Sequence, residues 1–306
     1  MATPRTQAED GPFLLHRVRV ARRRRLSAGF VRLTFTGPTL DRFADPGLDQ
    51  RIKLILPAAD GSLDAMPMTD DWYAAWRRLP ERRRPVIRTY TTRAVRQADR
   101  EVDVDLVVHE PCGPAGRFAT DCREGDEVVL LGPNRDARVA GGGIGFLRPE
   151  TSAVVLLAGD ETALPAIARI LEDLPARVRG SALVEVPHEE DGALLPSHPG
   201  VRVEVLVRGD RPHGDLLAPA VRAAAALLPA PGTGVEPEAV DPDAGPLWEV
   251  PGEDGAAPSS GPLFAWLAGE AGVITALRRV LVGELGMDRR AVAFMGYWRR
   301  GRSEGG

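Results

Sequence analysis

The residues best equipped for chemistry cluster first at Arg88-Thr89-Tyr90-Thr91-Thr92-Arg93, where charge, an aromatic face and hydroxyls share six positions. As a strand, this hexamer sends Arg88, Tyr90 and Thr92 to one face and Thr89, Thr91 and Arg93 to the other. A planar heterocycle could lie against the tyrosine or a guanidinium, set its phosphates on a cation and bond the intervening backbone. A flavin requires that combination. The same residues would also make an edge strand with solvated arginines and a half-buried tyrosine, so the hexamer alone leaves both readings open.

A second cluster is Gly159-Asp160-Glu161-Thr162-Ala163-Leu164-Pro165, set between an apolar run at 153–158 and a helix predicted over 166–171. A run apolar on both faces belongs inside a parallel sheet. Dinucleotides bind where such a strand meets its helix, on N–H groups free at the first turn. Asp160 or Glu161 is expected to cap the helix, with Thr162 and Ala163 nearest a pyrophosphate; a simple capped helix is the plainer alternative. A third cluster follows the alternating stretch 102–109, where Gly113, Pro114 and Gly116 punctuate a tight turn. A short helix beginning near Gly116 would aim its N–H groups at an anion. The glycine run 140–145 opens no helix and is expected to be a hairpin or linker rather than a dinucleotide fingerprint.

Two kinds of scaffold must position these residues. Period-two alternation at Val18 and Val20, at Val31, Leu33 and Phe35, and over 51–57, 102–109 and 125–133 predicts an antiparallel barrel of roughly seven strands. Arg22 to Arg25 are expected on a solvated turn. Residues 64–84 break the alternation, and Trp72, Tyr73 and Trp76 fall near helical spacing, predicting a short helix that staples its loop. From 149 onward, strands at 181–186, 201–207, 262–270 and 292–301 alternate with helices at 214–228 and 273–284, the pattern of a parallel α/β domain. Residues 229–261 are rich in Pro, Gly and acids and are expected to be a mobile insertion. The domains expected are therefore 12–148 and 149–306.

The chain has 306 residues, more than one core usually organises, and 43% hydrophobic residues to fill two. Lys+Arg 39 against Asp+Glu 43 gives a net charge of −4, which offers no field for nucleic acid. Two cysteines, Cys112 and Cys122, make neither a disulfide framework nor a cluster site, so a reducing cytoplasm is expected. No stretch reaches the ~20 apolar residues of a membrane span, and stable membrane insertion is not expected.

RTYTTR is followed by VDLVVHEPCGPAGRFA (104–119), GDEVVLLGP, VVLLAGDETALPAIARIL, WLAGE and GYWRRG. In that order and spacing they resemble the siderophore-interacting proteins, FAD-dependent ferric-siderophore reductases built like ferredoxin–NADP reductases. The resemblance spans about Arg17 to Gly301 and implies an FAD-binding barrel followed by an NAD(P)H-binding α/β domain. It implies FAD contacts at Arg88, Thr89, Tyr90, Thr91, His109, Gly116, Arg117, Phe118 and Ala119. Phe118 stands where the family usually has tryptophan, so only its packing role carries over. Gly159, Asp160, Glu161, Thr162 and Ala163 match the family's coenzyme loop, and Gly269 and Glu270 occupy the turn that meets nicotinamide. Arg208 and Arg211 end a strand where they could take a 2′-phosphate, tilting the choice between NADPH and NADH toward NADPH.

The implied reaction passes a hydride from NAD(P)H to FAD and then single electrons to Fe(III) held in a siderophore; a flavin can do both. Hard oxygen donors favour Fe(III), so reduction loosens the chelate. No protein iron ligands are needed, and histidines at 16, 109, 188, 198 and 213 offer no facial triad. Family-like position and charge nominate Lys53, Arg135 and Arg278 or Arg279 for docking an anionic ferric chelate. Rival readings are a flavin-containing siderophore carrier without efficient turnover, and an electron-transfer reductase using ferredoxin. A monomer is expected.

Overall fold

A computed structural model of the chain describes residues 11–109, 112–139, 141–147, 154–228, 247–252, 259 and 263–301. Two compact units divide between Gly143 and Ile144, with Ser27–Gly29 counted in the second.

The first unit runs β1 (Phe13–Arg25), β2 (Phe30–Thr36), β3 (Arg51–Leu56), α1 (Trp72–Arg77), β4 (Val86–Arg96), β5 (Glu101–Val107), α2 (Pro114–Asp121) and β6 (Glu127–Pro133). Its strands close a barrel in the order β1-β2-β5-β4-β3-β6, and each neighbouring pair is antiparallel. Six strands suffice where roughly seven were expected. The reason is β1: Phe13–Arg19 pair with β6 and Arg19–Arg25 with β2, with a register shift between Val20 and Arg22. Alternate residues such as Leu33, Phe35, Leu54, Val104 and Leu130 fill the interior. On the outside α1 lays Trp76 over Leu15, Ile55 and Val129, and the indole Nε1 donates to Pro85 O at 2.9 Å. The aromatic segment therefore staples its loop, as expected.

The outward residues of β5 hold a ladder of carboxylates. Arg22 binds Glu101 with both terminal nitrogens, Arg96 binds Asp103 in the same way, and Arg32 binds Asp105 through Nε and Nη2. Arg22–Arg25 are solvent-exposed as expected but lie on the end of β1 rather than in a turn, where Arg22 pairs with Glu101 and Arg23 donates to Thr120 O. Strand pairing makes these contacts, because the outward faces of β1, β2, β5 and β4 are neighbours only in the folded sheet.

The second unit contains β7 (Val154–Gly159), α3 (Leu164–Asp173), β8 (Arg179–Val186), β9 (Val201–Val207), α4 (Leu217–Ala226), β10 (Trp248–Glu249), β11 (Leu263–Glu270), α5 (Ala271–Arg278) and β12 (Val292–Trp298). The sheet order is β10-β12-β11-β7-β8-β9, parallel except for β10. That short strand corrects the expected mobile insertion. Leu247 and Val250 are buried beside it, and Glu249 pairs with Arg278 at 2.8 Å, so 247–252 is a packed element; apart from these and Ser259, 229–261 lies outside the described residues. Helix α3 starts two residues before the predicted point because Pro165 suits a first turn. No helix among the described residues is long and apolar enough to cross a membrane.

Candidate functional site

In the first unit the RTYTTR hexamer lies within β4 and keeps its predicted alternation. Ile52 and Leu54, the partners of Tyr90 and Arg88 on β3, are interior residues, and half-buried Tyr90 packs against the same core. Thr89 faces Lys53 on the other side, and Lys53 Nζ donates to Thr89 Oγ1 at 2.7 Å. The phase slips just beyond Thr92, where a register shift precedes Ala94, and Arg93 pairs with Asp105 at 3.7 Å.

That slip coincides with an opening in the barrel. β4 pairs with β5 only from Thr92 onward, whereas Arg88–Thr91 are paired to β3 alone. Asp105–Val107 of β5 are likewise laddered only to β2. The seam between β4 and β5 thus parts above Thr92, leaving one edge of the Arg88–Thr91 backbone unladdered beside the arginine and tyrosine. At its base the hydroxyl of Thr92 is buried with no hydrogen-bond partner. A buried hydroxyl costs free energy until paired, so a planar group bearing donors and acceptors could complete the Thr92 site.

β5 leads from this seam into α2. The helix begins at Pro114 rather than near Gly116, since Pro suits N1, and Gly113 before it supplies no side-chain cap. Its open first turn is consistent with an anion, while Gly116 is buried and a Cβ there would find nothing closer than 3.6 Å. Phe118 packs on the barrel core and Ala119 is fully buried within it, so both serve packing. Arg117 is exposed and donates to Cys112 O at 2.6 Å; His109 is exposed just past the end of β5. The flavin would be held by Arg88–Thr91 and the start of α2.

In the second unit the chain moves outward from β7 to β8 and β9, then returns to β11 and β12 on the other side. The switch point therefore lies between the carboxyl ends of β7 and β11, where Gly159 is opposite Ala268. Two glycines permit the close approach. A Cβ on Gly159 would meet Ala268 O at 2.5 Å, and one on Gly269, which has φ +149, would meet Asp160 Oδ2 at 2.7 Å. A small hollow there is lined by Asp160, His213, Gly214, Ala268, Gly269 and Glu270. Open α/β sheets take their ligands at such a switch point.

Neither acid of the GDET turn caps α3, whose N-cap residue is Ala163 and carries no side-chain cap. Asp160 Oδ1 accepts from Thr162 N and Thr162 Oγ1 instead, and Ala163 N donates to Asp160 O, so these N–H groups are already engaged. Glu161 takes both terminal nitrogens of Arg208 at 2.7 Å and His213 Nε2 at 3.2 Å. Burial opposes its ionisation, yet the His213 and Arg208 hydrogen bonds outweigh burial and hold Glu161 down to about 2. Arg208 is buried, not displayed at a strand end, which removes it as a ready ligand for a 2′-phosphate. Arg211 remains exposed.

The nominated docking cations separate by environment. Lys53 is half-buried beside Thr89, and Arg135 is exposed beyond β6 with Asp136 at 3.6 Å; both belong to the first unit. In the second, Arg279 is exposed whereas Arg278 is buried on Glu249, so Arg278 drops out. Glu270 is the N-cap of α5, accepting from Val273 N at 2.9 Å. Sequence reasoning missed three participants. Glu185 accepts from Gly214, Leu216 and Leu217 N–H groups at the start of α4, and a lone acid in the apolar strand ALVEV was the available signal. His213 and Trp298 meet edge to face at 4.8 Å, a contact no local pattern announces. Among the described residues no three His, Cys, Asp or Glu side chains gather as a metal site.

A six-stranded antiparallel barrel with an opened seam in one unit and a mostly parallel sheet with a glycine-lined switch point in the other are the two parts of the flavin-and-nicotinamide reductase class. Residues 19–137 match the siderophore-interacting FAD-binding domain and 152–301 the siderophore-interacting protein domain. The ferric vibriobactin reductase ViuB of Vibrio cholerae is 30% identical over 92% of this chain and 89% of its own. An NADPH-dependent ferric-chelate reductase of Escherichia coli is 27% identical over 91% of each chain. A siderophore utilization protein of T. fusca superposes with TM-score 0.68 at 26% identity over 96% of each chain. The chain belongs to the siderophore-interacting protein family.

Proposed function

We propose that this chain reduces ferric siderophores, using FAD and electrons from a nicotinamide coenzyme. The observation that carries the reading is the parted β4–β5 seam, where an arginine, a tyrosine and an unpaired hydroxyl fall within five residues of a strand that has left its β5 ladder. When bound there, FAD supplies the exchange between a two-electron donor and a one-electron acceptor. The chain's own part is to hold and orient. Arg88 offers a phosphate partner, Tyr90 an aromatic surface, and Lys53 a cation beside the same strand. Ferredoxin in place of a nicotinamide coenzyme gains no support from the glycine-lined crevice of the second unit. With Arg208 committed to Glu161, NADPH and NADH stand level on the geometry, while the E. coli relative is named for NADPH.

Purified protein is expected to be yellow and to release FAD on heating, and Arg88→Ala should weaken FAD binding by about 1.5–3 kcal/mol, the value of a charged hydrogen bond. Anaerobic titration with NADPH and with NADH, followed by flavin absorbance, identifies the donor. Addition of a ferric siderophore with a ferrous trap should then give Fe(II). Bleaching without Fe(II) would favour the carrier reading; colourless protein that takes up no FAD would sink the proposal.

A further inference from the structure

Three parallel strands end around the switch-point crevice, and one buried side chain that follows the first of them bonds the ends of the other two. Asp160 leaves the end of β7. Its Oδ2 accepts from Glu270 N at 2.8 Å, at the end of β11, and from Trp298 Nε1 at 2.9 Å, at the end of β12. Its Oδ1 is filled by Thr162 N and Thr162 Oγ1 at 2.9 and 2.5 Å. Four donors converge on one acceptor-only group, leaving little capacity for a ligand. Gly269 must lack a side chain for the turn to come this close, as its Cβ would overlap the carboxylate. Trp298 is fixed in turn against the His213 ring, which is bonded to Glu161.

We propose that Asp160 is a positioning residue: it ties the ends of β7, β11 and β12 together, setting the Gly269–Glu270 turn and the Trp298 indole for the coenzyme's nicotinamide end. The inference rests on the coenzyme reading of this crevice. It differs from the expectation that Asp160 contacts the pyrophosphate or caps α3, because every contact described for it is internal. The tie depends on charge. A neutral acid accepts more weakly than a carboxylate, so protonation loosens both bonds at Oδ2. Burial and the neighbouring Glu161 push Asp160 up to about 6, while its partners on Thr162 and Trp298 oppose the rise. The charged or titratable groups around it are Glu161 on its own loop, Glu185 on β8, Arg208 after β9, His213 before α4 and Glu270 on β11. Glu161 stays ionised near neutrality and Arg208 stays charged, so neither reverses the direction.

The test is nitrogen-15 NMR of the flavin-loaded full chain, with the Trp298 indole resonance assigned by Trp298→Phe and NAD+ and NADP+ titrated as non-reducing probes. In the parent the indole N–H and the Glu270 amide should shift together with a midpoint at about pH 6. Affinity for whichever nucleotide binds should fall below that midpoint. Asp160→Asn should abolish the shared titration and weaken nucleotide binding roughly ten- to hundredfold, as expected when a charged acceptor is lost. Parent protein that binds neither nucleotide, in titrations run also by calorimetry, would overturn the coenzyme reading beneath the inference. Parent protein that binds nucleotide while the two resonances stay still, or titrate apart, would overturn the positioning role alone. The parent titration decides this even if Asp160→Asn fails to fold.

Discussion

Glu161 and Arg208 spend their charges on each other inside the second unit. Removing one partner leaves the other buried and unpaired, so Glu161→Gln should cost about 3–5 kcal/mol, whereas replacing both with apolar residues of similar size should cost far less. Urea unfolding of the two variants makes the comparison. Their pairing was illegible because the residues lie 47 positions apart, and an arginine after a strand looks exposed in a string of letters. His16 gives a pH prediction. Burial, with Arg42 nearby, lowers its pKa from 6.5 to about 4, and Nδ1 is within 2.9 Å of Thr39 Oγ1. The folded state holds it neutral where the unfolded chain would take a proton. Its contribution is therefore full above 6.5 and is lost as pH falls toward 4. His16→Gln should flatten the pH dependence of unfolding free energy over that window. Asp160 has the opposite sign: with its pKa raised, its stability contribution is full below the unfolded carboxylate range and declines as pH rises through about 6. A site that keeps this carboxylate ionised near neutrality does so against stability.

At the scale of elements, the β5 ladder shows how a barrel with so many arginines stays ordered. Asp103 is nearly buried between Arg96 and Thr34. Burial would raise its pKa, but the Arg96 and Thr34 hydrogen bonds outweigh it and hold Asp103 below the usual carboxylate range. The rung is thus present above that range and lost on acidification. Asp103→Asn should destabilise the barrel by about 1–3 kcal/mol at neutral pH, with the loss shrinking in acid, as denaturant midpoints would record. Strands and helices were legible from period two, from period 3.6 and from apolar runs. The parted seam was not, because it is a property of register: a one-residue slip after Thr92 has no signature in RTYTTRAVR. For the same reason the short strand Trp248–Glu249 was hidden within a composition that reads as disordered, although Leu247 and Val250 are buried around it.

At the scale of the whole molecule, a net charge of −4 sets the average field against an anionic ferric chelate. Docking must then depend on cations close enough to act before screening, within about 8–10 Å at ordinary ionic strength. Lys53 on β3, hydrogen-bonded to Thr89 of the hexamer proposed to hold the flavin, is the cation best tied to the proposed site, and Arg135 is a second one on the same unit. The two fields predict opposite responses to salt. If the mean charge governed encounter, added salt would screen repulsion and lower the half-saturating concentration of an anionic ferric siderophore. If the local cations govern it, salt should raise that concentration, while a neutral ferric chelate should respond little. The expected outcome is the second. Replacing Lys53 and Arg135 together by glutamine should raise the half-saturating concentration for the anionic chelate several-fold and flatten its salt dependence, because exposed or half-exposed charges each contribute about 0.2–1 kcal/mol. Reduction of the flavin by the nicotinamide coenzyme serves as the internal reference in the same cuvette. A loss confined to the chelate step assigns the cations to docking; an equal loss in both steps would mean that Lys53 supports the flavin strand through Thr89 instead.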